Sequence, residues 1–432
     1  MINKKDNDLF ELINRELERQ QDGLEMIASE NYVSENVLHA MGSILTNKYS
    51  EGYPGKRYYG GNEFIDEIEN LGRDYAKTIF HVDHANLQPY SGSPANQAVY
   101  FALCQPHDKV MGMNLLYGGH LTHGWKVNFS GMFYDAIQYT TDKDGFLDYN
   151  AIEDMVKKEK PKLVFVGATA YSRIIDFEKL AEIAHKENAF LVADIAHIAG
   201  LIAGGVHPSP AGFADVITTT THKTLRGPRG AMIMCDGDIS NPTKKIEPAI
   251  GWRESKQNIP TYIDRAIFPG LQGGPHNQTT AGITQALFEA QKPEFKEYAE
   301  QIVKNAKTLS EELTNAGLKI ITGGTDNHLL LIDVSPFGIS GAEAEKSLEL
   351  AGITVNKNTI PFDTRSPFDP SGIRIGTPAL TSREMKEPEM IQISEMITRV
   401  LKNHSNDDII KNVKKEIKNL CNNFPIYKNI KY

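Results

Sequence analysis

The sequence is poor in cysteine. Three occur, Cys104, Cys235 and Cys421, with no metal-ligand spacing between them. That excludes a disulfide framework and a cysteine-based zinc site, and suits free thiols packed in a reducing compartment. None has the surroundings of a nucleophile. Long apolar runs are missing too: no stretch approaches the roughly 20 residues of a membrane helix. The first residues, MINKKDNDLFELINREL, are polar and acidic. They lack the apolar centre of a signal peptide and the acid-poor look of a transit peptide, so the protein is expected in the cytoplasm. Positive charge is not in excess. Lys and Arg number 46 against 55 Asp and Glu, a formal net charge of −9, which argues against a general nucleic-acid binder. Local basic runs such as KKEKPK (157–162) read as solvated surface.

What is present is an alternation of short elements. At 432 residues the chain exceeds what one core holds, so two domains are expected. Leu9, Ile13 and Leu17 recur at helical spacing and predict an amphipathic helix over 7–21. Apolar strands that end in glycine or polar residues open the segments 85–104, 108–124 and 162–173, and helices are predicted over 150–160 and 177–188. Strands alternating with helices predict a parallel doubly wound sheet, with functional residues at the strand C-terminal ends. Residues 251–282 read as irregular and glycine-rich, and 279–316 as one long helical stretch. Beyond 318 the pattern shortens (KIITGG, HLLLIDV, a helix near 341–351, ITVNKNTIPF) into a smaller α/β domain, and 382–432 reads as surface helices. The expected fold class is therefore α/β. It has a large domain with a mostly parallel doubly wound sheet (51–282), a smaller C-terminal α/β domain (283–432) and an N-terminal segment (1–50).

The segment ADVITTTTHKTLRGPRGA (214–231) carries the most chemistry. Val216, Ile217 and the threonines are β-branched and read as a buried strand. Four adjacent threonines are poor core residues unless each hydroxyl finds a partner. Lys223 follows at the strand end. Most lysines are solvated, but a shielded one loses solvation, and its free amine can attack a carbonyl. Upstream, AFLVADIAHIAGLIAGG is a second buried strand ending at Asp194, with His197 just after. A strand-end aspartate followed about thirty residues later by a strand-end lysine fits pyridoxal phosphate, which needs an amine for its Schiff base and a carboxylate for its ring nitrogen.

Other segments admit two readings. Ser29 to Asn31, after an apolar run, form either a helix N-cap or a polar site. EGYPGKRYYGG (51–61) is a glycine-shaped aromatic and basic loop of the binding type. Ser93 and Pro94 read as the cap and first position of a helix whose free N–H groups suit an anion. His120 and His123 form a HxxH pair, but no third ligand at zinc-like spacing accompanies it, so no metal is expected. Arg374, among isoleucines, is either a carboxylate clamp or half of a structural ion pair.

Together TTTTHKTLRGPRG, DIAHIAGLIAGG, EGYPGKRYYGGNEFID, LEMIASENYVS, GGHLTHG and SGIRIGTPA resemble serine hydroxymethyltransferase, in family order over nearly the whole chain. The resemblance implies an aspartate-aminotransferase-like fold and a pyridoxal 5'-phosphate enzyme that interconverts serine plus tetrahydrofolate with glycine plus 5,10-methylenetetrahydrofolate. It implies a side activity as a folate-independent aldolase on β-hydroxy amino acids. It further implies a homodimer with shared active sites, the N-terminal segment packing on the partner. A tetramer is compatible with it.

By the same resemblance, Lys223 holds the cofactor and Asp194 pairs with its ring nitrogen. His120 stacks on the ring and also borders the folate site, and His197 supports the ring oxygen or the substrate carboxylate. Gly92 and Ser93 hold the phosphate, with the partner's backbone at the Gly273–Gly274 pair. Thr169 stands where many relatives carry serine. Tyr49, Glu51 and Tyr59 reach the neighbouring subunit's site, with Glu51 at the serine hydroxyl. Thr220 and His222 flank the lysine's approach, His222 as a proton relay, and Arg229 tunes the lysine and its loop. Ser29 and Arg374 hold the substrate carboxylate. Leu115, Gly119, Leu121, Asn356, Ser366, Pro367 and Phe368 match folate-contacting positions. His123 receives no role. The segment His276 to Thr279 departs from the commoner apolar pattern after GGP, which suggests different local dimer packing. A threonine aldolase would share Asp194, Lys223 and Arg374. The YPGKRYYGG loop and the GGHL and NKN segments fit the folate enzyme instead. A non-catalytic binding protein of this fold would not need every such position filled.

Overall fold

A computed structural model describes residues 8–236 and 258–432. The first seven residues and 251–257, the start of the glycine-rich stretch, lie outside the described residues. The chain forms two units, Tyr32–Glu300 and Met1–Asn31 with Gln301–Tyr432.

Seven strands build the sheet of the first unit: β1 (His84–Asn86), β2 (Lys109–Met113), β3 (Asp135–Tyr139), β4 (Leu163–Val166), β5 (Phe190–Asp194), β6 (Val216–Thr220) and β7 (Ala231–Cys235). Their spatial order is β1-β7-β6-β5-β4-β2-β3. The pairs from β6 through β5, β4 and β2 to β3 are parallel, and β7 runs antiparallel to both β6 and β1. The fold is α/β with a mostly parallel sheet. Strands β4 to β7 are nearly all buried, hence their continuous apolar runs. Helix Gly92–Leu103 packs Ala95, Ala98 and Ala102 inward, so its backbone comes close to the sheet. Tyr100 fills the space beside them, stacked at 4.8 Å on Phe165, with its hydroxyl donating to Thr122 O at 2.8 Å. Each large side chain so buried contributes about 1.5–3 kcal/mol.

In the second unit β8 (Lys319–Ile320), β9 (Leu329–Asp333), β10 (Asn356–Asn358) and β11 (Gly372–Gly376) form an antiparallel sheet ordered β8-β9-β11-β10. The short strand Leu24–Glu25 pairs in parallel with Ile353–Thr354. Buried Arg383 donates to the carbonyls of Gln20, Gln21, Gly23, Cys421 and Phe424. Those carbonyls belong to the ends of helices Asp8–Asp22 and Asp407–Asn423, where dipoles favour a cation.

Four local readings are corrected. Helix Gly92–Leu103 begins before Ser93; its cap residue is Ser91, and Pro94 lies in the first turn, where no N–H is needed. The stretch 279–316 is two helices, Asn277–Ala290 and Pro293–Asn315, parted where Pro293 starts afresh. Within 251–282, Ile259–Arg265 is helical and runs into a kinked segment, Ala266–Leu271, where Phe268 leaves helical geometry. Asn258 caps it, accepting from Thr261 N at 3.2 Å, and Ile259, Tyr262 and Ile263 bury its inner face; the glycines further on mask that pattern. Helices Glu387–Lys402 and Asp407–Asn423 are no surface tail, since Ile393, Ile397, Val413 and Ile417 all lie in the core. Among the described residues, no helix is long and apolar enough to cross a membrane.

Candidate active site

Strands β2, β4, β5 and β6 are adjacent and parallel, so their C-terminal ends deliver side chains to one edge. Their continuations line one cavity, with His120 and His123 after β2, Thr169 after β4, Asp194 and His197 from β5, and Thr220 and Lys223 from β6. Gly92, at the start of its helix, closes it. A Cβ on Gly92 would lie 2.8 Å from Thr220 Cγ2, so only glycine lets the helix start approach the strand end.

The threonine run is satisfied hydroxyl by hydroxyl. Thr218 donates to Asn96 Oδ1, Thr219 to Thr220 O, Thr220 to Ala196 O and Thr221 to Pro228 O. The last bond, with Gly227 N donating to Thr221 O at 2.7 Å, folds the GPRG loop back on the strand end. Thr224 donates to His197 O and accepts from Gly200 N. Lys223, 9% exposed, is thereby held inside the cavity wall.

Asp194 is the electrostatic centre. Its Oδ2 accepts from Asn96 Nδ2 at 2.8 Å and pairs with His123 Nε2 at 3.2 Å, and its Oδ1 accepts from Ala196 N at 3.1 Å. Burial alone would raise this carboxyl. The hydrogen bonds from His123 and Asn96 help to outweigh it, and the group is held well below the usual carboxylate range. Burial drives His120 down to about 4 against the pull of Asp194, so its imidazole is neutral at pH 7. Burial, then the charges of Lys223 and Arg229, push His222 to about 3. His222 Nδ1 is buried with no hydrogen-bond partner among the described residues. Arg229 is exposed and acts on His222 through its charge. Thr169 donates to the carbonyls of Gly118 and Gly119, tying the ends of β4 and β2 together.

The HxxH pair does find a third group. Donor atoms of His120, His123 and Asp194 lie within 4.8 Å of one another, although Asp194 comes from a distant strand and escapes any spacing rule. His123 and Asp194 already share a hydrogen bond, and we assign the trio to that network rather than to a metal.

A second group of expected residues gathers in the same unit. The rings of Tyr49 and Tyr59 meet edge to face at 5.0 Å, and Tyr49 Oη donates to Glu51 Oε1 at 3.4 Å. A Cβ on Gly273 would come 3.1 Å from Glu51 Oε1, so the glycine pair lies against this group. His276 stacks on Tyr90 at 4.2 Å and 6°, and Tyr90 Oη donates to Gly274 O at 2.9 Å. Asn277 Nδ2 donates to Lys48 O. The unusual polar residues after GGP thus pack within this chain.

The second unit holds Ser29, Asn356, Ser366, Pro367, Phe368 and Arg374. Arg374 on β11 faces Asn356 on β10, and its Nε donates to Asn356 Oδ1 at 3.0 Å. Burial lowers Arg374 to about 10, which leaves it charged at neutral pH. Ser29 is no helix cap; it sits in a turn, and the next helix is capped by Ser34, which accepts from Val37 N. Its neighbour Ala28 lies against Gly376, whose Cβ would approach Ala28 Cα to 2.6 Å. Ser366, Pro367 and Phe368 are exposed on the loop between β10 and β11, Phe368 by 86%. In the first unit, Leu115 lies on a 3-10 turn after β2, Gly119 is buried and Leu121 is 42% exposed.

Sequence reasoning passed over Asn96 and Thr122, and left His123 idle. Asn96 carried one weak signal: with Gln97 it is one of two amide residues in a helix otherwise of small, apolar and aromatic ones. In chemical terms the cavity joins a buried amine, an ionised carboxylate, a neutral imidazole and a helix start without a side-chain cap. That set could hold a phosphorylated aromatic aldehyde.

The family model described as serine hydroxymethyltransferase matches residues 2–397. The chain is 55% identical over 424 residues to the serine hydroxymethyltransferase of Mycoplasma mycoides subsp. mycoides, covering 98% of each chain. It is 54% identical over 434 residues to that of Mycoplasma capricolum subsp. capricolum, covering 100% of both. It is 50% identical to that of Desulfotalea psychrophila, covering 98% of this chain and 95% of the relative.

Proposed function

The chain belongs to the serine hydroxymethyltransferase family, and from that premise we propose that it interconverts serine plus tetrahydrofolate with glycine plus 5,10-methylenetetrahydrofolate, using pyridoxal 5'-phosphate. The observation that carries this reading is the single cavity joining Lys223, Asp194 and His120 to the helix start at Gly92. These residues fit the cofactor. When bound, it supplies an electron-withdrawing ring that takes up the electron pair of the breaking Cα–Cβ bond.

The chain's own residues do the rest. Lys223 supplies the amine that holds the cofactor. Asp194, ionised, keeps the ring nitrogen protonated, and His120 offers a neutral imidazole beside the ring. Backbone N–H groups at Gly92 and Ser93 receive the phosphate, since the helix start has no side-chain cap. His197 and Thr169 border the cofactor, and Thr220 the lysine. His222 relays a proton, its imidazole kept weakly basic by burial and then by the charges of Lys223 and Arg229.

Arg374 binds the substrate carboxylate as a charged clamp, with Ser29 as a second contact. Glu51 takes and returns the serine hydroxyl proton beside Tyr59. The folate is met by Leu115, Gly119, His120, Leu121, Asn356, Ser366, Pro367 and Phe368. The working form is a homodimer in the cytoplasm, in which Tyr49, Glu51, Tyr59, Gly273 and Gly274 serve the neighbouring site. Tyr49 and Tyr59 are 55% and 49% exposed, ring surface that a second copy would cover. Without folate, the same residues cleave β-hydroxy amino acids as an aldolase.

The test is a visible spectrum recorded as pyridoxal 5'-phosphate, glycine and tetrahydrofolate are added in turn. A cofactor band that shifts with glycine, and intensifies at longer wavelength only with tetrahydrofolate, supports the reading. A glycine response indifferent to folate favours the aldolase. No cofactor band overturns the proposal.

A further inference from the structure

The carboxylate proposed to face the cofactor's ring nitrogen is backed by two side chains, Asn96 and His123, to which the reading above gives no role. Asn96 is 1% exposed and held at three points. Thr218 Oγ1 donates to its Oδ1 at 2.7 Å, which fixes which end of the amide is oxygen. Both protons of Nδ2 are then committed, one to Asp194 Oδ2 at 2.8 Å and one to Thr122 Oγ1 at 2.8 Å. The amide therefore cannot turn without breaking three bonds.

His123 approaches the same oxygen from the other side, and it too is 1% exposed. The backbone N–H of His120 donates to its Nδ1 at 3.4 Å, so the proton facing Asp194 is on Nε2, 3.2 Å from Oδ2. Its ring lies on Phe165 at 5.2 Å and 21°, which fixes the plane. Two buried donors thus converge on one oxygen of Asp194, and Oδ1 is held by Ala196 N. The other titratable groups around Asp194 are His120 on the loop of His123, Tyr100 on the helix of Asn96, His197 beyond its own strand, and Lys223 after β6.

We propose that Asn96 and His123 are positioning residues, which keep Asp194 ionised and aimed so that the ring nitrogen meets a carboxylate rather than a carboxylic acid. The inference rests on the cofactor site proposed above. Its logic is that of a buried anion: with two donors removed, desolvation is no longer offset, and the carboxyl takes up a proton at higher pH.

The experiment measures pyridoxal 5'-phosphate affinity of the apoprotein as a function of pH for the unaltered chain, Asn96→Leu and His123→Phe. Both replacements are close in shape and remove the donor to Asp194, along with the acceptors Asn96 Oδ1 and His123 Nδ1. In parallel, 13C NMR of aspartate-labelled apoprotein follows the Asp194 carboxyl, assigned by comparison with Asp194→Asn. In each variant we expect cofactor affinity about tenfold weaker at pH 6, the loss of one hydrogen bond to a charged group. We also expect the acid limb of the profile and the Asp194 titration to move upward by about one pH unit or more. Thr218→Val, which only frees the amide to turn, should shift both in the same direction by less, and it stands in for Asn96→Leu should that variant not fold. A uniform loss of affinity with unmoved pH profile and unmoved Asp194 titration would mean that these residues merely fill space, and overturns the inference while leaving the cofactor site standing. Absence of cofactor binding by the unaltered chain overturns both.

Discussion

Arg374 and Asn356 stand opposite one another on adjacent strands, and the guanidinium donates from Nε to Asn356 Oδ1 at 3.0 Å. The residue proposed to clamp the substrate carboxylate is thus oriented by one proposed to contact folate.

Removing that orientation should act on substrate binding more than on stability. Asn356→Ala is expected to raise KM for serine about tenfold, the effect of one hydrogen bond to a charged group. Steady-state kinetics beside a thermal melt decide the matter. A lowered Tm with unchanged KM would reduce the contact to a structural one.

His276 is unusual in the sequence and stacks on Tyr90, which in turn donates to Gly274 O. An aromatic pair contributes about 0.5–1.5 kcal/mol beyond its buried area. His276→Ala should therefore lower stability by about 1 kcal/mol and loosen the Gly273–Gly274 loop, whereas His276→Phe should keep both near the original. Urea unfolding measures the first effect and amide hydrogen exchange at 273–274 the second. Equal behaviour of the two variants would refute a role for the ring.

Acid should destabilise the fold through two histidines. His120 and His222 are held at about 4 and about 3 in the folded chain, chiefly by burial. In the unfolded chain they take up protons near 6.5. Below about pH 6.5 the unfolded state therefore binds more protons than the folded state, and stability falls as pH drops towards 4. The expected loss is roughly 5 kcal/mol by pH 4.5, about half from each histidine. The double variant His120→Asn, His222→Asn should flatten that limb of a urea-derived stability profile. A limb of undiminished steepness would place the acid sensitivity elsewhere.

Glu25 predicts the opposite slope. Burial, and then the charge of Glu30, raise its carboxyl to about 8. The folded chain thus holds a proton that the unfolded chain releases near the ordinary carboxylate value, and stability declines as pH rises from about 4.5 to 8. Glu25→Gln mimics the protonated form. It should match the original chain at pH 5 and exceed it by roughly 1–3 kcal/mol at pH 8.5. Melting curves at the two pH values test this, and parallel curves at both would contradict it.

Much of the site could be read from local sequence because its chemistry is concentrated at strand ends. The β-branched run Val216 to Thr220 formed the expected strand, and the hydroxyls of Thr218 to Thr221 found the partners that burial demands. Asp194 and Lys223 lie in one cavity because consecutive parallel strands bring their C-terminal ends together. Local reading failed where two signals overlapped. The glycines after residue 269 hid the helix Ile259–Arg265, and the polar faces of the last two helices hid their buried stripes.

The sequence by itself determined the chemical inventory, the strand and helix alternation and the family. Those follow from side-chain type and from periodicities that act over a turn of helix or a few residues of strand. Only the tertiary structure decided who holds whom. Asn96 and Asp194 are 98 residues apart in the chain, and Tyr90 and His276 meet from different elements. The partner of a buried polar group is set by strand order, register and the approach of helix to sheet, and no spacing along the chain encodes these.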